Sequence, residues 1–300
     1  MVTTVTLNPA LDYVLHLPAF VPGAVNRAAD ACVQAGGKGI NVSAVLHALG
    51  EETRALGFTA GFTGQEIERQ LREQGVPAQF LHLKTGMSRI NVKLKAGAES
   101  EVNGPGPAVP PAAVEQLLRQ LEALPDGETL VLAGSIPPPL PQTLYGQILA
   151  RLAGRQIDAV VDAEGALLAQ TLAYHPFLVK PNRAELAAFL GRAVDSEAAL
   201  EDGAAQLQRQ GARNVLVSLA GDGALLLDET KQYRRLAAPR GKVCNSVGAG
   251  DSMVAGFLAG WRRTGDYAQA LRLGVATGSA TAFSEGLAGR GAIEQVFAKL

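Results

Sequence analysis

The stretch Ser246-Val247-Gly248-Ala249-Gly250-Asp251-Ser252-Met253-Val254-Ala255-Gly256 decides how the rest of the chain is read. Gly248 and Gly250, with only Ala249 between them, lead into a run of small and apolar residues, Met253 to Trp261, that reads as a buried helix. Glycines lack a side chain, so their backbone N–H groups can lie flat against a ligand. The first turn of the helix behind them offers unpaired N–H groups and the positive end of the helix dipole. Such a place binds anions, most often phosphate. Asp251 stands at its mouth. A carboxylate beside an anion hole has a use if it receives a proton. On this reading Asp251 takes the proton of a substrate hydroxyl while the N–H groups of Gly248, Ala249 and Gly250 hold a phosphoryl group in transfer. A loose phosphoryl-transfer transition state puts little charge on the nucleophile, so the reading needs orientation of Asp251 more than a raised pKa. Taken alone, the same residues fit a tight turn with an Asp capping a helix equally well.

Composition narrows the choice. The chain has 300 residues, enough for one large or two small domains, with 47% hydrophobic and 18% charged residues, a balance that points to a large core. Few aromatics and 34 glycines suit an α/β protein with many tight turns. A net charge of −1 gives no reason to expect nucleic acid or an acidic membrane as partner. Cys32 and Cys244 lie far apart, in no metal or redox spacing, and read as free thiols in a reducing cytoplasm. No Lys or Arg precedes Arg27 and prolines break the early apolar run, which argues against a signal peptide. No run approaches the length of a membrane span. His16, His47, His82 and His175 share no ligand spacing.

Working outward, Val2 to Asn8 alternates apolar residues with threonines, as a strand does, and Asp12 follows at the edge where open α/β sheets collect ligands. A carboxylate there can accept hydrogen bonds from sugar hydroxyls, or simply sit in a turn. Residues 13–34 break the βαβ rhythm and read as short strands of a small accessory sheet. Ala35-Gly36-Gly37-Lys38-Gly39-Ile40-Asn41 again leads glycines into a helix. It lacks the spacing of a Walker A loop. A substrate cradle with Lys38 as cation and Asn41 as donor and acceptor is the functional reading, a plain glycine turn the other. Gln79–Leu83, Arg89–Lys95 and Glu99–Asn103 read as strands with no helix between them, joining 13–34 in the small sheet. The period of two puts Arg89, Asn91 and Lys93 on one face, fit for a phosphorylated sugar or for solvent.

From Pro110 onward helices and strands alternate. Gly134-Ser135-Ile136-Pro137 follows a buried strand at the ligand edge. Lys180-Pro181-Asn182-Arg183-Ala184-Glu185 places Asn182 and Glu185 three apart at a helix start. That spacing suits Mg²⁺ held through its waters, and it equally suits a capping box. Ser218-Leu219-Ala220-Gly221-Asp222-Gly223 turns into another strand, its glycines open to nucleotide phosphates. No strand opens into Gly-x-Gly-x-x-Gly with an acid about 20 residues on, which disfavours a dinucleotide dehydrogenase.

Seven motifs in this order, Asn-Pro-Ala-Leu-Asp (8–12), Gly-Gly-Lys-Gly-Ile-Asn (36–41), Arg-Ile-Asn-Val-Lys (89–93), Gly-Ser-Ile-Pro (134–137), Lys-Pro-Asn-Arg-Ala-Glu (180–185), Ser-Leu-Ala-Gly-Asp-Gly-Ala (218–224) and Val-Gly-Ala-Gly-Asp-Ser (247–252), resemble the ribokinase-like carbohydrate kinases of the phosphofructokinase-B family. The resemblance spans nearly the whole chain. It implies one α/β domain over 1–300, a doubly wound α/β/α sandwich with a β-sheet lid inserted at about 13–34 and 79–103. It implies ATP-dependent phosphorylation of a sugar phosphate. Fructose 1-phosphate is the first expectation, tagatose 6-phosphate or fructose 6-phosphate are alternatives, and a non-catalytic sensor is a more distant one. It implies Asp251 as base, with Gly248 to Gly250 as anion hole. Asp12, Gly37, Asn41 and Ser135 would meet the sugar, with Asn91 beside them, and Lys38 and Arg89 its phosphate. Asn182 and Glu185 would serve Mg²⁺–ATP. Lys180, Ser218, Gly221, Asp222, Gly223 and Gly250 would line the nucleotide site. A homodimer through the lid and a cytoplasmic setting complete the expectation. The chain departs from the pattern at Ser246 (usually Thr), at Asn245 (usually Asp or Ser) and at Ser88 (often Thr).

Overall fold

The structure, a computed structural model, describes the backbone of residues 1–300 and every side chain but that of Ala98. The chain runs β1 (Val2–Thr6), β2 (Ala10–His16), β3 (Asp30–Gly36), α1 (Lys38–Ala48), β4 (Thr53–Ala60), α2 (Gly61–Glu73), β5 (Leu81–Leu83), β6 (Arg89–Ala96) and β7 (Ala98–Asn103). It continues with α3 (Pro111–Glu122), β8 (Thr129–Ala133), α4 (Leu144–Arg151), β9 (Asp158–Asp162), α5 (Gly165–Leu172), β10 (Leu178–Val179), α6 (Arg183–Leu190) and α7 (Glu197–Arg209). The last third holds β11 (Asn214–Ser218), β12 (Ala224–Leu227), β13 (Tyr233–Leu236), α8 (Ala249–Thr264), α9 (Tyr267–Ala282) and α10 (Arg290–Phe297).

Nine strands form one sheet in the order β13-β12-β11-β10-β9-β8-β1-β4-β5. Pairing is parallel from β5 to β11, and β12 and β13 add antiparallel strands at one edge. Helices α3 to α7 pack on one face, and α1, α8, α9 and α10 on the other. The fold is thus a doubly wound α/β/α sandwich. Because β1 is covered on both faces, its threonines are buried too. Each then needs a partner. The Thr4 and Ser43 hydroxyls lie 2.8 Å apart, Thr6 Oγ1 accepts from the Ile40 N–H at 3.0 Å, and Thr3 Oγ1 donates to Glu128 at 3.1 Å. The alternation in the sequence therefore marks hydroxyl partners and not a wet face.

The helix behind the key stretch begins earlier than its apolar run suggests. Gly248 is the N-cap, with a left-handed φ of 78°, so Ala249, Gly250 and Asp251 form the first turn and not the loop before it. Small residues let α8 and α9 close up: a Cβ on Gly256 would stand 2.4 Å from Thr277 Oγ1 and 2.6 Å from the Leu273 carbonyl. Near the far end of α8 the single tryptophan, Trp261, stacks on Tyr267 with ring centroids 4.2 Å apart.

Four strands make a second sheet, β3-β2-β6-β7, over the mouth of the first. Ala10–His16 and Asp30–Gly36 reach two or three residues beyond the expected 13–34, and β6 and β7 keep the expected outer ends, Arg89 and Asn103. The expectation for 79–83 needs correcting. β5 pairs parallel with β4, Phe58 opposite Leu81, and extends the large sheet. Alternation predicts that a short strand forms but not which open edge takes it. Asp12 likewise lies inside β2 and not in a turn past β1, because the chain re-enters a strand directly after Asn8-Pro9.

Candidate active site

Between the two sheets lies a cleft of about 1510 Å³, floored by the C-terminal ends of the parallel strands and roofed by the small sheet. Every residue singled out from sequence lines it except Asp222. Asp222 faces outward, 3.3 Å from Arg183, its side chain largely exposed. Gly223 also has a simpler reason to be glycine. With φ at 88°, a Cβ there would lie 2.0 Å from the Leu236 carbonyl, so the packing of β13 excludes any side chain. Gly221 has open space around it and leaves room for a ligand.

The lid strands deliver one face to the cleft. Asp12, Asn91, Lys93 and Glu101 point in. Lys93 Nζ sits 3.1 Å from Asp12 Oδ2 and 3.6 Å from Glu101, and Asn91 Nδ2 donates to Asp12 Oδ1 at 2.9 Å. Gly36 makes room for that carboxylate, since a Cβ there would lie 2.7 Å from Asp12 Oδ2. Arg89 Nε donates to the Asn8 carbonyl at 3.1 Å. Burial lowers its proton affinity, with the charge of Asp12 opposing. The carbonyl oxygens of the Asn8 and Asn91 side chains are buried without a donor. Two acceptors without partners suit sugar hydroxyls. Ser135 follows β8 at the floor, and Gly37, with φ at 132°, caps α1.

Asp251 is 7% exposed and accepts a 2.8 Å hydrogen bond from Asn41 Nδ2. Its carboxyl is pushed up to about 6, first by burial and then by the charge of Asp162, against the pull of Asn41, Lys38 and Lys180. The raised value exceeds what the sequence reading required. Around it the helix start is open: the N–H groups of Gly248, Gly250 and Asp251 have no acceptor among the described residues, while that of Ala249 reaches Ser246 O at 3.3 Å.

Lys38 and Arg89, both expected at the sugar's phosphate, line the cleft with different protein partners, the Asn8 carbonyl for Arg89 and Asp162 for Lys38. Lys38 Nζ is tied to Asp162 Oδ1 at 3.0 Å, and Lys180 Nζ stands 3.6 Å from Oδ2 of the same carboxylate. Lys180 also lies against the start of α8, 3.2 Å from where a Cβ on Gly250 would be. Asp162 is the residue that sequence reasoning missed. Its signal was present, since it ends a buried parallel strand at the ligand edge as Gly134-Ser135 does.

Asn182 and Glu185 form the capping box in full: Asn182 Oδ1 accepts from the Glu185 N–H and Glu185 Oε2 from the Asn182 N–H, both at 2.8 Å. Glu185 Oε1 has no protein partner, and burial raises the carboxyl's proton affinity against the pull of the Asn182 N–H and the two lysines. No group of three His, Cys, Asp or Glu side chains able to hold a metal occurs among the described residues. Two of the departures are structural, and the third, Ser246, lines the cleft. Asn245 Oδ1 accepts from the Val247 N–H and from Lys95 Nζ of the lid, both at 3.1 Å, and its Nδ2 donates to the Glu285 carbonyl. Ser88 Oγ, fully buried, accepts from the Ala60 N–H at 3.0 Å.

The chain is 44% identical, over 99% of its length and 97% of the relative's, to a 1-phosphofructokinase of Bacillus subtilis (strain 168). It is 36% identical to a D-tagatose-1-phosphate kinase of Bacillus licheniformis, covering 100% and 98% of the two chains. Among solved structures it resembles phosphofructokinase-2 from Escherichia coli at 29% identity. One crystal holds that enzyme with substrates and products (TM-score 0.94, covering 100% and 99%), another its tetrameric inhibited form (TM-score 0.92, covering 99% and 98%). No helix is long and apolar enough to cross a membrane among the described residues. The profile of the pfkB family carbohydrate kinases matches residues 5–291, and to that family of enzymes the chain belongs.

Proposed function

We propose that the protein transfers the γ-phosphoryl group of ATP to O6 of fructose 1-phosphate, giving fructose 1,6-bisphosphate and ADP. The observation that carries the reaction is Asp251, a buried carboxylate held by Asn41 at a helix start whose N–H groups lack acceptors. The identity to a 1-phosphofructokinase favours this sugar phosphate.

The O6–P bond forms as the γ-phosphorus to ADP oxygen bond breaks, and the proton of the sugar hydroxyl passes to Asp251. The N–H groups of Gly248, Gly250 and Asp251 hold the phosphoryl oxygens, with Ala249 setting the turn. Lys38 and Lys180 neutralise charge beside them. Asp12, Asn41, Asn91, Gly37 and Ser135 hold the sugar, and Arg89 faces its phosphate. Ser218, Gly221 and Gly223 border the nucleotide, and Asp222 keeps only a surface role. Mg²⁺, when bound, screens the phosphate charges. The free oxygen of Glu185 and nearby Asn182 fit such an ion through water. The lack of a three-ligand cluster fits too, since Mg²⁺ takes most of its ligands from phosphates and water. The lid roof excludes water, a competing acceptor.

A second reading has its own support in the D-tagatose-1-phosphate kinase relative, since tagatose differs from fructose only at C4. Release of ADP, measured in parallel with fructose 1-phosphate, tagatose 1-phosphate, fructose 6-phosphate and tagatose 6-phosphate, decides. Fructose 1-phosphate should give the highest kcat/KM. A higher value with another sugar reassigns the substrate, and turnover with none of them leaves a sensor.

The outer face of the lid sheet supports a homodimer. Val33, Tyr13, Val92 and Val102 are neighbours across the four strands, and Val33 (45% exposed) and Val102 (63%) stand in solvent. A second copy of the same face would cover them. Two free cysteines and phosphorylated substrates fit a cytoplasmic enzyme.

A further inference from the structure

The substrate-facing residues leave one buried charge unexplained. Asp162, at the end of β9, is 1% exposed and borders the cleft. A lone buried carboxylate is costly unless paired. Here the partners are two cations from different elements, Lys38 at the start of α1 and Lys180 after β10. Its Oδ1 accepts a 3.0 Å hydrogen bond from Lys38. Lys180 is too far from Oδ2 for a hydrogen bond, so that oxygen is buried without a donor. The pair of lysines is thereby drawn onto one anchor beside Gly250 and Asp251.

We infer that Asp162 is a positioning residue of the transfer reaction, clamping the Lys38 and Lys180 ammonium groups beside the first turn of α8 and setting the charge that Asp251 faces. The inference rests on the proposed function for the identity of the base.

The geometry has two consequences. Without the carboxylate, Lys38 and Lys180 gain net attraction for phosphate but lose their fixed place. The loss therefore falls on the chemical step and not on nucleotide binding. The charged and titratable groups facing Asp251 are Asp162 from β9, Lys38 from α1 and Lys180 after β10, with Asn41 as hydrogen-bond donor. Burial and Asp162 hold Asp251 protonated to higher pH, while the lysines act in the opposite sense. The base works as the carboxylate, so removing Asp162 must extend activity to lower pH. Removing a lysine must do the reverse.

The test is a comparison of Asp162→Asn with Lys38→Met. For Asp162→Asn, kcat should fall on the order of 10- to 100-fold, as when a supporting partner of a site is lost, without a rise in KM for ATP. The acid limb of kcat/KM should move down by about one pH unit, the scale of a like charge removed. For Lys38→Met the limb should move up. If Asp162→Asn fails to fold, the upward shift in Lys38→Met and in Lys180→Met still decides. An unmoved acid limb overturns the inference, as does a loss confined to KM or to the Mg²⁺ requirement. If the wild type turns over no sugar phosphate, the proposed function fails separately. Carbon-13 titration of the Asp251 carboxyl in the free variants then tests for the same opposite shifts.

Discussion

Asp251 carries two opposed demands. Its carboxyl must be ionised to take a proton, yet burial and Asp162 favour the protonated form. Turnover should therefore rise with pH through about 6 and level off above it, as kcat/KM measured across the acid range will show. Asp251→Asn should lower kcat by ~10²–10⁴-fold, the contribution of a positioned base. A loss below about tenfold would contradict the assignment. The same variant should unfold at higher temperature than the wild type near pH 7. A carboxyl whose folded pKa lies above its unfolded one destabilises the fold once it ionises, by roughly 1–3 kcal/mol here. That gain should be complete above about pH 6 and absent below about pH 4. At this scale the sequence was legible wherever a residue sits in a glycine-rich helix start or on an alternating strand, as Asp251, Asn41 and Asn91 do. For Asp162 the place at a strand end was legible but the pairing was not, because its two lysines lie 124 positions upstream and 18 downstream and only folding brings charges of that separation together. Nor could spacing choose between the metal and capping readings of Asn182 and Glu185, because one geometry serves both.

The helices and strands follow from periodicity except where packing overrules it. α8 starts at Ala249 and not at Met253, because a left-handed glycine at 248 can cap a helix before its apolar stripe begins. β5 shows the limit for strands, since a three-residue segment carries no preference for either sheet. The close contact of α8 with α9 gives a direct prediction. Alanine is the better helix former, by about 1 kcal/mol over glycine. At Gly256, however, a methyl would meet the Leu273 carbonyl and the Thr277 side chain, and the main-chain carbonyl cannot yield cheaply. Gly256→Ala should therefore lower stability by ~1–3 kcal/mol, read as a reduced urea midpoint with an unchanged slope.

At the scale of the whole molecule, the small sheet has a polar face for ligands and an apolar face toward solvent, from one alternation read in register across four strands. If two copies meet there, Val33→Glu combined with Val102→Glu should convert the protein to a monomer by sedimentation velocity, with the melting behaviour of each chain retained. A wild type that sediments as a monomer at micromolar concentration would dispose of the lid interface. The doubly wound order was legible from the alternation of helix and strand from Pro110 to α6, whereas subunit pairing leaves in the sequence only an apolar face with no core to fill. One feature of α8 reaches across these levels. The helix that begins with the base ends with the chain's sole indole, stacked on a tyrosine. The protein thus has its own optical gauge. Emission excited near 295 nm arises from one place, so a shift of the spectrum on ligand addition or in denaturant can be assigned to that helix without any label.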